Sequence, residues 1–134
     1  MTDRDRFQRC VTMTAYCGVR DISQILQRSR TLFEAVSEAV APDVLIECLE
    51  TCHRGGIMNV GETIKRGNAL CGAVMAKELT NRETMLQCIS DASGDGVMDA
   101  KSVIERADKL FAAIMEVEQP KRRGRPPKVD KDAA

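Results

Sequence analysis

Apolar residues recur along this chain at spacings of three and four, in Phe7, Cys10 and Val11 and again in Leu45, Cys48 and Leu49. That spacing gathers them on one face of an α-helix. No alternating β-branched run appears, and no proline falls between Pro42 and Pro120. The pattern predicts six helices, over roughly 4–17, 21–40, 43–54, 59–79, 81–92 and 99–118.

The helices come as three copies of one unit. Residues 7–36, 45–74 and 85–114 align without a gap at offsets of 38 and 40. Identical in all three are Cys10/Cys48/Cys88, Gly18/Gly56/Gly96, Arg28/Arg66/Arg106, Leu32/Leu70/Leu110 and Ala35/Ala73/Ala113. Val11/Leu49/Ile89, Leu26/Ile64/Ile104 and Val36/Val74/Ile114 keep their apolar character. Self-similarity at this period is the mark of stacked helical units, none of which can bury its apolar stripe alone.

Each copy reads as helix, tight turn, helix. The shared glycine stands where a left-handed residue would end the first helix. Asp21, Asn59 and Asp99 stand where N-caps would open the second. Asp21 with Gln24, Asn59 with Glu62, and Thr80 with Glu83 have the spacing of capping boxes. Ser29, Gly67 and Ala107 share one core-facing position and are all small, which predicts close helix approach. Gly61, Gly67 and Gly72 each weaken the fourth helix by up to ~1 kcal/mol relative to alanine.

With three Phe, one Tyr and no Trp, the core is built from small aliphatic, Met and Cys side chains. So modest a core predicts self-association into a homo-oligomer. The charged start Met1-Thr2-Asp3-Arg4-Asp5-Arg6 lacks the apolar run of a secretory leader, and no stretch approaches a membrane span. Six cysteines lie mostly on helix faces, as core thiols of an intracellular protein do.

A formal net charge of zero hides a division. Residues 119–134 hold six basic and two acidic side chains, a net +4, which leaves 14 basic and 18 acidic, a net −4, in residues 1–118. Residues 1–118 are therefore expected to form an acidic helical domain, and 119–134 a disordered basic tail. Within that tail runs Lys121-Arg122-Arg123-Gly124-Arg125-Pro126-Pro127-Lys128. Arg123 and Arg125 flank a glycine, so both guanidiniums can point one way from an extended backbone. A-tracts have a narrow, strongly negative minor groove that attracts such arginines. Gly124 lets the backbone approach the groove floor, and Pro126 and Pro127 hold the chain extended. Lys121, Arg122 and Lys128 suit phosphates.

This Arg-Gly-Arg-Pro core with basic flanks resembles an AT-hook. The resemblance covers about eight residues and implies A·T-rich double-stranded DNA as partner. It also implies a chromosome-associated location, in a nucleoid or nucleus, and a role as architectural factor or transcriptional regulator. A single hook binds weakly, so several per particle are expected, with the helical body clustering them or binding a protein partner. The alternative reading is a helical protein–protein adaptor whose basic tail is only an address or solubilising arm.

Other constellations are better explained as structure. Cys48, Cys52 and His53 lack the paired spacing of a zinc site, and Cys52 and Cys71 align with core residues of the other copies. Asp91, Ser93, Asp95, Gly96 and Asp99 imitate a calcium loop, but Ser102 stands where a bidentate Glu belongs. Arg28, Arg66 and Arg106 suit ion pairing or stem packing, while Arg4, Arg6, Arg9, Arg20, Arg28 and Arg30 form a basic N-terminal third that could assist the tail. With His53 as the single imidazole and no phosphate loop, neither catalysis nor a cofactor is expected.

Overall fold

The computed structural model describes residues 1–15, 21–53, 59–94 and 99–118. The protein is all-α, and among these residues there are six α-helices and no strand. They are α1 (Asp3–Ala15), α2 (Ile22–Glu38), α3 (Pro42–Cys52), α4 (Val60–Met75), α5 (Arg82–Ser93) and α6 (Ala100–Glu118). A 3₁₀ turn, Leu79–Asn81, precedes α5. None of these helices is long and apolar enough to cross a membrane.

The repeat becomes three hairpins, because α1 packs chiefly on α2, α3 on α4 and α5 on α6. Weaker contacts of α3 with α1 and α5, and of α4 with α2 and α6, stack the hairpins into two layers. The core accordingly falls into two clusters. Cys10, Met13, Leu32, Val36, Leu45, Ile46 and Leu49 join the first hairpin to the second. Cys48, Leu70, Val74, Met85, Cys88, Ile89, Val103 and Ala107 join the second to the third. Each hairpin covers the stripe of its neighbour, as stacked units must.

Helix starts follow the sequence in part. Asn59 accepts from the backbone N–H of Glu62, the cap expected of it. Asp21 does cap α2, but through Ser23 rather than a box with Gln24. Thr80 caps nothing, because it lies inside the 3₁₀ turn and α5 begins two residues later. There Arg82 performs the joining instead, donating to the carbonyls of Met75 and Lys77 and so tying the end of α4 to the start of α5. Pro42 sits in the first turn of α3, where its missing N–H removes no helical bond. Gly94 ends α5 at φ +60°, a conformation open to glycine at little strain. The shared glycines Gly18, Gly56 and Gly96 lie outside the described residues.

The position shared by Ser29, Gly67 and Ala107 is buried in every hairpin. Its size varies against the residue at the Val11/Leu49/Ile89 position. Gly67 goes with Leu49, the bulkier Ala107 with β-branched Ile89, and Ser29 with the smaller Val11. A Cβ on Gly67 would lie 2.6 Å from Leu49 Cδ2 and 3.2 Å from its Cγ, so α3 and α4 leave no room here for a methyl. In this helix pair the missing methyl is space that Leu49 occupies.

One repeated feature departs from its sequence expectation. Leu32, Leu70, Val36 and Val74 are fully buried, whereas their equivalents Leu110 and Ile114 are 41% and 44% exposed. The invariant alanine is half-buried in α2 and α4 and exposed at Ala113. The stripe is the same; among the described residues no further helix packs over the third hairpin.

Candidate nucleic-acid interface

The expected DNA-contacting residues, Lys121, Arg122, Arg123, Gly124, Arg125, Pro126, Pro127 and Lys128, all lie outside the described residues. What is described is the body that carries them. Its last helix, α6, runs 19 residues to Glu118, three positions before Lys121. Any hook in this segment is thus delivered from the C-terminal end of the third hairpin.

The N-terminal arginines have other partners. Arg9 Nε donates to Glu50 Oε2 at 2.7 Å, and its second guanidinium nitrogen reaches Glu50 Oε1, a bidentate bridge from α1 to α3. Arg6 Nε donates to Asp43 Oδ1 at 2.9 Å, and Arg6 also pairs with Asp3. The bond to Asp43 raises the Arg6 pKa, and the bond to Glu50 raises that of Arg9. Arg6 in turn holds the Asp43 carboxyl below its ordinary value. These two arginines spend their charge on joining hairpins, which removes them from the basic patch suggested for the N-terminal third. Sequence could not reveal this, because the partners stand 37 and 41 positions away.

Of the repeated arginines, Arg66 pairs with Glu62 one turn earlier at 3.6 Å, an interaction within a helix. Lys77, two residues past the end of α4, bonds Asp108 at 3.1 Å and lies 4.7 Å from the centre of the Phe111 ring, linking the α4–α5 connection to α6. A groove between α3 and α5 is edged by Glu47, Glu50 and Glu83 and floored in part by Val44 and Leu86. Arg82 also lines it, with its guanidinium engaged by the two α4 carbonyls. An acidic groove of this kind repels a phosphate backbone.

Four of the five described thiols, Cys10, Cys48, Cys52 and Cys88, are buried core groups. Burial pushes Cys10 and Cys52 each up to about 11, and Cys88 upward. Cys48 is raised by its hydrogen bond to Cys71 and then by burial, while the same bond lowers half-buried Cys71 to about 7. A thiol with a raised pKa is a poor nucleophile and a poor metal ligand at neutral pH. Among the described residues, no group of three or more His, Cys, Asp or Glu side chains is arranged to hold a metal ion. In the calcium-loop imitation, Asp91 and Ser93 are helical residues of α5, and Asp91 accepts from Gln87. Asp99 instead caps α6, accepting from the Lys101 N–H and the Ser102 hydroxyl. Asp95 and Gly96 lie outside the described residues.

Compared with protein-family models, with curated proteins and with solved structures, the chain shows no match.

Proposed function

We propose that this protein binds the minor groove of A·T-rich double-stranded DNA through residues 121–128, while its helical domain gathers copies or docks a protein partner. The observation that carries the reading is the Arg123-Gly124-Arg125-Pro126 core, set in a +4 segment beside a −4 body. Arg123 and Arg125 enter the groove, Gly124 lets the backbone follow, and Lys121, Arg122 and Lys128 neutralise phosphates. About three phosphate contacts give a salt slope near −3 in log K against log salt. The acidic groove between α3 and α5, and the engagement of Arg6 and Arg9 within the fold, support a division of labour in which the body keeps off the duplex. A protein of this kind works on the chromosome, as an architectural factor or a transcriptional regulator.

The test compares A·T-rich with G·C-rich duplexes at fixed salt, using the full chain and an Arg123→Ala, Arg125→Ala variant. Preference for A·T-rich duplex, lost in the variant, is the expected result. Equal, weak binding to both duplexes by the full chain would overturn the reading and favour an adaptor with a basic address.

A further inference from the structure

The third hairpin ends the stack with its two helices unlike each other. On α5, Thr84, Gln87 and Asp91 occupy the outer positions that Val44, Glu47 and Thr51 hold on α3; all three are polar, with Gln87 and Asp91 exposed and Thr84 half-buried. On α6, the outer face keeps the stripe of the interior repeats. Leu110, Ala113, Ile114 and Val117 are exposed, with Val117 at 85%. The bare surface is therefore one helix wide. A fourth hairpin would meet polar groups across half its face, but a single helix would not.

We propose that α6 is a homotypic interface, pairing antiparallel with α6 of a second copy of this chain about a two-fold axis. Three observations choose this occupant. First, at the equivalent positions of α2 and α4, Leu32, Leu70, Val36 and Val74 are fully buried by helices of this chain and Ala35 and Ala73 half-buried. Second, Lys109 and Glu116 stand seven residues apart along one edge of the stripe, both exposed. An antiparallel pair centred between Ala112 and Ala113 sets Lys109 of each copy against Glu116 of the other, twice by symmetry. The small residues at that centre allow close helix approach. Third, at the opposite end of the stack the outer face of α1 is polar, and α2 exposes one large aliphatic side chain, Ile22. Gln8 stands exposed where Ile46 is buried in the next repeat, beside Asp5 and Thr12, and Phe7 closes edge-on against Phe33 at 5.5 Å. Head-to-tail growth is thereby disfavoured and a closed dimer favoured.

This inference deepens the self-association half of the proposed function. In such a pair the two Glu118 residues stand roughly 17 Å apart along the helix axis, at 1.5 Å rise per residue. Two hooks then leave one particle near each other, and the second binds at a raised effective concentration.

Sedimentation equilibrium of the full chain tests it without DNA, so its outcome leaves the hook reading separately decidable. We expect a monomer–dimer equilibrium with a dissociation constant on the order of micromolar, as befits a small interface. Val117→Arg weakens the dimer by about tenfold or more while leaving helical circular dichroism unchanged. Lys109→Glu and Glu116→Lys each weaken it, and the double variant returns to within about threefold of the original, because every facing pair is again opposite in sign. A monomer at every concentration would overturn the proposal and assign the stripe to another protein. So would masses that rise past the dimer, an indifferent Val117→Arg, or a charge swap that fails to recover.

Discussion

Two glycines on α4 make opposite predictions for the same substitution. Gly67 and Gly72 are both helix-interior positions, so alanine at either gains up to ~1 kcal/mol of helix propensity. At Gly72 nothing lies within 4 Å of the added methyl, and the gain is kept whole. At Gly67 the methyl meets Leu49 Cδ2 at 2.6 Å and Cγ at 3.2 Å, with Leu45 Cδ1 at 3.6 Å behind. Leu49 is fully buried and cannot swing into solvent. Overpacking of this kind costs about 1–3 kcal/mol, so Gly67→Ala should end between neutral and about 2 kcal/mol destabilised. The two variants should therefore differ by about 1–3 kcal/mol, or roughly 4 °C in Tm per kcal/mol for a domain of this size. Urea unfolding followed by helical circular dichroism measures both. Leu49→Val in the Gly67→Ala background should recover part of the loss, with a coupling of at least about 0.5 kcal/mol, since it recreates the smaller partner found at Val11. Equal stabilisation by the two alanines would refute the reading that Gly67 is held for space.

Two further outcomes follow from the described contacts, beside the duplex and sedimentation experiments. Arg9→Ala removes a bidentate, partly buried bridge between the first two hairpins and should cost about 1 kcal/mol, with a smaller loss at high salt; urea midpoints at two salt concentrations read it. Alkaline stability reports the buried thiols. Cys10 and Cys52 stay protonated to about 11 when folded, against an ordinary 9.0 when unfolded. Between those values the unfolded chain has released protons that the folded chain retains, so stability present below pH 9 falls as pH rises. The slope is about 1.4 kcal/mol per pH unit for each thiol, and a Cys10→Ala, Cys52→Ala variant should flatten it in urea midpoints taken across that window.

Much of the architecture was legible because it is local and repeated. Cys10/Cys48/Cys88 and the small-residue position at Ser29/Gly67/Ala107 are buried as their register implied, and the capping role of Asn59 needs only its own helix. Short-range rules failed where a distant group intervened. Thr80 and Glu83 have box spacing, yet a 3₁₀ turn and the Arg82 guanidinium make that junction. Arg6 and Arg9 looked like part of a basic patch until α3 brought Asp43 and Glu50 to them. The proposed hook is read from sequence alone, because recognition by an extended arginine segment would require residue order and no tertiary partner.

By itself the sequence determined the hairpin, its threefold repetition and the segregation of positive charge, since helical period, turn chemistry and charge are carried by neighbours along the chain. Only the tertiary structure decided that Leu110 and Ile114 stand open where Leu32, Leu70, Val36 and Val74 are sealed. Equivalent side chains differ there because burial depends on whether a further unit packs above them, and among the described residues stacking supplies one to the first two hairpins.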